Sequence, residues 1–363
     1  MRRTLTTREL NRAVLERQLL LRRRRLAVER AVERVAGLQS QYAPSPYIRL
    51  WSSLEGFTLV DLTGALERRR VVQATLMRST IHIVSAGDFW LLAAGVGPSR
   101  QEWWLRTQGG GDASGFDLDA AAATLRATLA GRVWPRKELD AVLAEMGSSV
   151  WAGVWVPMVR VPPSGTWERR RADRFQLAEE WLGPSDAGED LGLEHLLRRY
   201  LGGFGPATLG DVASWAGVPS GRLAEASPRL RLRTFLGPDG TELIDLPRAP
   251  LPPADTPAPP RFLGTWDAAL LVHCRRALII PEEYRPRIFH TKAPQSYPTF
   301  LVDGSVRGTW KTERSGGGAM LRIEPFERLP KDDVGALKEE AAGLIRFVER
   351  DAETHEVTVA RPG

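Results

Sequence analysis

The chain has 363 residues, more than one ordinary core needs, so we expect two or three modules. It contains no run of about 18 apolar residues, and charges interrupt the N-terminal segment too often for a secretory signal, so we expect a cytoplasmic protein without a membrane segment. The lone Cys274 excludes an intramolecular disulfide and multi-cysteine zinc sites, and the net charge of +6 favours a polyanionic partner such as nucleic acid.

Arginine supplies most of the positive charge and is concentrated at the N terminus. Residues 1–34 hold eleven arginines against four glutamates, and the densest cluster is "RRRR" at 22–25. Two interpretations stay open for this segment: a solvated face that flanks the helices, or a surface that contacts a polyanion.

The first predicted module, residues 1–110, consists of helices followed by a β-hairpin. Apolar residues recur at helical spacing in "TRELNRAVLERQLL", "LAVERAVERVAGLQ" and "TLVDLTGALERRR". The segment "VVQATLMRSTIHIV" then alternates like two paired strands, with Arg78 near the tip. Three helices followed by a hairpin are typical of a winged helix.

The next two predicted modules repeat this order. In residues 111–190, the helices "DLDAAAATLRATLAG" and "WPRKELDAVLAEMG", the latter with Pro135 in its first turn, precede a strand, a Pro-Pro-Ser-Gly turn and a second strand. In residues 191–247, a helix, a short helix capped by Thr208 and a third helix precede a hairpin that turns at "GPDG".

The C-terminal third changes in character. Residues 248–260 are rich in proline and predict an extended connector. Residues 261–363 are strand-rich, with strands expected in "FLGTWDAALLVH", "ALIIP", "TFLVDGSVRGTWKTE" and "AMLRIEPFERL", and with the helix "DDVGALKEEAAGLIRFVERD" closing the chain. We therefore predict an α+β fold: three tandem winged-helix modules with a C-terminal β-rich subdomain.

Two glutamines in "LQSQYAPSPY", Gln39 and Gln41, are unusual candidates for chemistry. Residues two apart in a regular helix point about 200° away from each other, so a helix cannot direct both to one site. Pro44 and Pro46 bias the residue before each of them toward extended geometry, so we expect the helix to end near the glutamines and both side chains to lie on one side. The alternative is that they bond the free carbonyls at a helix C terminus.

Three further stretches carry a family resemblance: "LNRAVLERQLL", "VAGLQSQYAPSPYIRLWSSLEGF" and "LMRSTIHIVSAGDFW". Together with the tandem winged helices and the β-rich cap, they resemble the bacterial winged-helix DNA glycosylases that unhook azinomycin-type crosslinks and other bulky N7-alkylguanine adducts. The resemblance covers most of the chain and implies that Gln39 and Gln41 form a catalytic Gln-x-Gln motif. In that family this form accompanies self-resistance to one natural product, whereas the Gln-x-Asp form has broader substrates.

Glutamine suits this reaction because alkylation at N7 makes guanine cationic and already a good leaving group, so no general acid is needed. Two amide carbonyls can hold a water and stabilise the positive charge that develops on the sugar. The first lysine is Lys137, so we expect a monofunctional enzyme without a Schiff-base step. We expect no cofactor and no metal, and we expect a monomer that acts on double-stranded DNA carrying alkylated guanine.

Nine basic residues are candidates for contacts with DNA. They lie in the first hairpin, in the second wing and in the segment "YRPRIFHTKAPQSYPTF": Arg78 and His82; Arg169, Arg170 and Arg171; Arg285, Arg287, His290 and Lys292. The alternatives are a structural histidine at 82, a solvated face at 169–171, and an ordinary edge loop with core aromatics at 284–297.

Two questions stay open at the level of sequence. Winged helices are mostly binding modules, so the alternative function is a non-catalytic DNA-binding regulator or damage sensor. Asp267 in "TWDAALL" is a carboxylate in a markedly apolar run, and it is either a strained buried group or a contributor to the site.

Overall fold

The structure is a computed structural model, and it describes residues 2–107, 118–145, 152–271, 276–290 and 295–362. Within these ranges the helices are α1 (Thr7–Arg17), α2 (Val28–Arg34), α3 (Pro44–Ser53), α4 (Leu59–Glu67), α5 (Ala86–Thr107), α6 (Leu118–Leu129), α7 (Arg136–Glu145), α8 (Ala152–Trp155), α9 (Ala178–Leu182), α10 (Glu189–Phe204), α11 (Leu209–Ala216), α12 (Ser220–Ala226), α13 (Arg285–Ile288) and α14 (Lys331–Val348). None of them is both long and apolar enough to cross a membrane.

The strands in the same ranges are β1 (Leu38–Gln39), β2 (Val71–Thr75), β3 (Ile81–Ser85), β4 (Trp134–Pro135), β5 (Met158–Arg160), β6 (Arg174–Leu177), β7 (Arg233–Leu236), β8 (Glu242–Asp245), β9 (Arg261–Leu263), β10 (Phe289–His290), β11 (Gln295–Ser296), β12 (Thr299–Val302), β13 (Ser305–Ser315), β14 (Gly318–Pro325) and β15 (Thr354–Val359). The fold is α+β, as predicted.

Two of the N-terminal arginines lie inside the protein, whereas most of the others are exposed. Arg12 and Arg17 on α1 are almost completely buried. Ion pairs join this region to distant parts of the chain: Arg12 with Asp303, Arg17 with Asp245, and Arg23 with Glu340. A buried guanidinium persists only when it is paired, so Arg12 and Arg17 hold the fold together, and both interpretations stay open for the exposed arginines of this segment.

One six-stranded sheet joins the first two segments, in the order β1-β3-β2-β5-β6-β4. The predicted β2–β3 hairpin is confirmed, and a short 3₁₀ turn at Met77–Ser79 forms its tip. Strand β2 also pairs with β5, so the hairpins of residues 1–110 and 111–190 share one sheet. The boundary between these two modules therefore stays a prediction.

The third segment has the predicted order of elements. Thr208 caps α11 in a reciprocal capping box with Asp211, and β7 pairs with β8. Helix α10 crosses α5 in backbone contact, because a Cβ added at Gly192 would lie 2.3 Å from the backbone nitrogen of Gly95. This close approach fixes the third segment against the helix that follows the first hairpin.

The C-terminal region contains a five-stranded sheet in the order β15-β14-β13-β12-β9, with α14 packed on it. Among the described residues, the strand expected in "FLGTWDAALLVH" is present only in β9, since residues 268–270 form a 3₁₀ turn. Two further expectations for this region were wrong. The run "ALIIP" is not a strand, since residues 276–278 form a 3₁₀ turn and Ile279 and Ile280 are buried beyond it; a short apolar run reports burial but not conformation. Helix α14 does not close the chain, because β15 follows it and pairs in parallel with β14.

Two expectations about prolines also need correction. Helix α3 begins at Pro44, and Ala43 before it is helical, with φ −53° and ψ −36°. The first turn of a helix accepts proline because its N–H groups have no partner within the helix, so both prolines start a helix and do not prevent one. Pro135 lies in β4 and pairs with Arg174, one residue before α7 begins.

Candidate active site

The two glutamines lie on a short strand and the turn that follows it. Helix α2 ends at Arg34, and Gly37, with φ +84°, turns the chain into β1. Gln39 is 8% exposed and pairs across the sheet with His82 on β3, whereas Gln41 is exposed. The helix ends earlier than we expected, but the extended backbone at Gln39 is confirmed.

One hairpin orients both amide groups. Gln39 Oε1 accepts a hydrogen bond of 2.8 Å from Arg78 Nη2, and Gln41 Oε1 accepts one of 2.8 Å from the backbone N–H of Ile81. Both donors belong to the β2–β3 hairpin, so the oxygens do not serve the C terminus of α2. Each carbonyl oxygen has two lone pairs, so each retains one for a water or a developing positive charge.

Arg78 holds this arrangement from a left-handed backbone position, with φ +52°. Its Nη1 also donates to the backbone oxygen of Trp215 at 2.7 Å. Gly217 lies against it, and a Cβ there would come 3.0 Å from the Arg78 Cα. Arg78 therefore links the glutamine motif to α11 of the third segment, and a phosphate contact by its half-buried side chain stays a prediction.

His82 lies inside the sheet, only 2% exposed. Its Nδ1–H donates to the backbone oxygen of Thr80 at 3.0 Å. Burial, followed by the nearby charge of Arg78, lowers the pKa of His82 to about 3. The ring is therefore neutral at physiological pH, and this placement favours the structural alternative over a phosphate contact.

A small cavity lies behind Gln39, next to the N-terminal turn of α3. Its volume of about 10 Å³ suits one water molecule. Side chains from three distant parts of the chain line it: Gln18, Gln39, Ser45, Arg49 and Asp267. Sequence reasoning missed Ser45 and Arg49, although an arginine within the apolar run "YIRLW" is the kind of buried charge that signals a partner.

Asp267 is buried and paired. Its Oδ2 lies 3.2 Å from Arg49 Nε, and its Oδ1 accepts from the backbone N–H of Ala269. Burial raises the pKa of Asp267, against the opposing effects of Arg49 and of the Ala269 N–H. The open question about this carboxylate is thus answered in part: it is a buried group, and it borders the same cavity as Gln39.

An open groove of about 650 Å³ begins at Tyr42, the residue after Gln41. Arg170 and Arg287 line it, together with the aromatic rings of Trp167 and Tyr297. Arg170 donates to the Tyr42 hydroxyl at 3.2 Å and lies over the Trp167 ring. The structure therefore brings one candidate from the second wing and one from the C-terminal region to a single groove, whose lining includes the residue next to Gln41.

The remaining candidates lie outside this lining. Arg169 and Arg171 are exposed and share the carboxylate of Asp173, and Arg285 is exposed and pairs with Glu282. The side chain of His290 and all of Lys292 fall outside the described residues. These positions stay predictions for DNA contacts.

A larger cavity of about 850 Å³ lies between α5 and the second segment. Arg100 and Arg160 line it, and burial lowers the pKa of each to about 10. Neither glutamine contributes to its wall. The volume of this cavity therefore gives no support to the glutamine motif, whose catalytic role stays a prediction.

Neutralising Arg169, Arg170 and Arg171 together as glutamines should weaken DNA binding. If they bind phosphates, the plot of log affinity against log salt concentration should become flatter, by about one unit of slope for each phosphate that is no longer neutralised. Fluorescence anisotropy with an unmodified duplex at several salt concentrations measures this slope.

The matched control removes the same charge elsewhere, at three exposed, ion-paired arginines outside the groove: Arg132, Arg229 and Arg314. This control should lower affinity only through net charge and keep the slope near that of the unaltered protein. An unchanged slope in the 169–171 variant would assign that cluster to a solvated face.

Comparison with known proteins places the chain among enzymes. The profile of the family described as "DNA glycosylase AlkZ-like" matches residues 32–347. A relative from Streptomyces sahachiroi named "Interstrand DNA cross-link repair glycosylase" is 25% identical, over 92% of this chain and 94% of its own length. The solved structure "Streptomyces sahachiroi DNA glycosylase AlkZ" has a similar fold, with a TM-score of 0.78 at 20% identity, covering 98% of this chain and all of that one.

The match of the family profile extends over most of the chain and includes both glutamines. It decides between the two functions that the sequence left open, in favour of an enzyme and against a non-catalytic regulator or sensor. The chain belongs to the family of AlkZ-like DNA glycosylases.

Proposed function

We propose that this glycosylase hydrolyses the N-glycosidic bond of bulky N7-alkylguanine in duplex DNA, interstrand crosslinks included, with Gln39 and Gln41 as its catalytic residues. The observation that carries the proposal is the pair of amide oxygens, each oriented by one donor of the same hairpin beside a groove lined by arginine and aromatic side chains. The name of the Streptomyces relative, an interstrand crosslink repair glycosylase, supports crosslink repair. The Gln-x-Gln form favours self-resistance to one natural product.

The chemistry needs little from the protein beyond positioning. The bond between C1′ and N9 breaks, its electron pair neutralises the cationic guanine, and a water oxygen bonds to C1′. One glutamine oxygen accepts a hydrogen bond from that water, and the other places its partial negative charge near the oxocarbenium-like sugar. Because their free lone pairs are fixed before the substrate arrives, neither amide must reorganise during the reaction.

The groove beside Gln41 provides the place for DNA. Arg170 and Arg287 suit phosphate contacts, and the exposed rings of Tyr42 and Tyr297 suit a base or a planar adduct. An open groove accepts a guanine that is tethered to the opposite strand, whereas an enclosing pocket requires the base to swing out. All these groups come from one chain, so the proposal requires only a monomer.

A panel of duplexes tests the proposal. Each carries one lesion: a bulky N7-alkylguanine monoadduct, an N7–N7 guanine crosslink, N7-methylguanine, uracil or 8-oxoguanine. We expect release of the bulky cationic adducts, slower release of N7-methylguanine, and no release of uracil or 8-oxoguanine, whose glycosidic bonds lack activation by a positive charge.

The measurement is free base released in a single turnover, corrected for spontaneous depurination of the same duplex without protein. Efficient release of uracil with no release of any cationic guanine would contradict both the substrate class and the role of the glutamines.

A further inference from the structure

The cavity behind Gln39 contains more polar groups than the glutamine mechanism uses. Ser45 is 4% exposed, and its hydroxyl has no hydrogen-bond partner among the described residues. Asp267 borders the same cavity, as does Gln18. An unpartnered buried hydroxyl costs free energy, and a cavity of this size supplies room for the one water that would satisfy it.

Hydrolysis of a cationic adduct leaves one proton to be removed. The attacking water forms the C1′–O bond, and the departing guanine becomes neutral by taking the electrons of the glycosidic bond, so the water must lose a proton to complete the product. A glutamine amide is too weak a base to keep that proton. A carboxylate connected to the attacking water would accept it.

We propose that Asp267, held in place by Arg49, accepts this proton through one water bound between Gln39, Ser45 and the carboxylate. The water attacking C1′ is held by Gln39 and gives a proton to the cavity water as the C1′–O bond forms. The cavity water gives one of its own protons to an Asp267 oxygen, and the carboxyl returns that proton to solvent after the products leave. This inference rests on the proposed function, since it concerns the same hydrolysis.

The groups around Asp267 make this assignment specific. Among the described residues that line the cavity, Asp267 is the only carboxylate and Arg49 the only cation. His82, opposite Gln39 on the sheet, stays neutral because its pKa is about 3. Burial raises the pKa of Asp267 above the ordinary 3.8, so its protonation, and the loss of its function as an acceptor, begins at a higher pH than for an exposed aspartate.

The experiment is a pH profile of single-turnover base release from a duplex carrying one nitrogen-mustard monoadduct at guanine N7. From neutral pH down to the lowest pH at which the protein stays folded, we expect the unaltered protein to slow as the pH falls, because the acceptor must be ionised and burial raises the pKa of Asp267. Asp267→Asn should be about 10²-fold slower near neutral pH, and its rate should no longer decrease as the pH falls, so that the acid limb of the profile is lost. Ser45→Ala should be about 10-fold slower and should keep the limb, because its carboxylate remains.

The matched control is Asp88→Asn. Asp88 is also a buried carboxylate paired with an arginine, Arg199, but it does not line the cavity. This control should keep both the rate and the acid limb. Circular dichroism at each pH ensures that the rates refer to folded protein.

The outcomes separate this inference from the proposed function. An unaltered protein that releases the adduct at a pH-independent rate, or an Asp267→Asn variant that keeps both rate and limb, would overturn the proton acceptor and leave the proposed function standing. If Asp267→Asn does not fold, the pH profile of the unaltered protein and the rate of Ser45→Ala test the inference instead. An unchanged rate for Ser45→Ala would overturn the proton transfer through the cavity water. No release by the unaltered protein would overturn both.

Discussion

Gln39→Ala and Gln41→Ala should each slow base release by about 10²-fold or more, the loss typical of removing one preorganised dipole or an aligned water. DNA affinity should stay nearly intact, because neither amide carries charge. The measurement is single-turnover release from an N7-alkylguanine duplex, with anisotropy on an unmodified duplex to report affinity. Gln39→Ala also removes the hydrogen bond from Arg78, so the rate of this variant must be expressed per folded protein.

The matched control is Gln176→Ala. Gln176 lies on β6 of the same sheet and bonds only a surface glutamate, Glu180, in the contacts of its side chain that the structure shows. It should release base at the rate of the unaltered protein. Equal rates for Gln39→Ala, Gln41→Ala and this control would remove both glutamines from the chemistry.

Asp245→Ala should lower the free energy of unfolding by about 3–5 kcal/mol, because it leaves a charged guanidinium buried without its partner. Both Asp245 oxygens accept from Arg17, at 2.6 and 3.0 Å, and one also accepts from Arg233 at 2.7 Å. Asp245 and the Arg17 side chain are completely buried, so water cannot replace the missing carboxylate. Urea unfolding followed by circular dichroism measures the change.

Asp351→Ala provides the contrast. Asp351 is exposed and pairs with Arg350 at 3.6 Å, so its loss should change the free energy of unfolding by less than about 1 kcal/mol. A similarly small change for Asp245→Ala would mean that solvent reaches Arg17 and that α1 is not held by this pair.

Local features of the sequence predicted much of the secondary structure. The predicted cap of α11 at Thr208 involves residues three apart, and the β2–β3, β7–β8 and β12–β13 hairpins turn at short, recognisable segments. These signals are readable because a cap or a tight turn depends on a few neighbouring residues. The glutamine motif also stood out, since its spacing does not suit a helix.

Short segments were less informative. The strand β15 was missed, and "ALIIP" was assigned to a strand that does not exist. Each segment is short enough that its conformation depends on what it packs against, and β15 forms because β14 offers it a free edge.

The sequence by itself indicated the α+β class, the starts of several helices, the main hairpins and the candidate role of the two glutamines, because each depends on residues close together along the chain. Only the tertiary structure decided that Gln39 is buried and Gln41 exposed, that Arg170 and Arg287 line one groove, and that Asp267 meets Arg49 behind the motif. Such contacts join residues far apart in sequence, and they form only when packing buries both partners together, which no local pattern encodes.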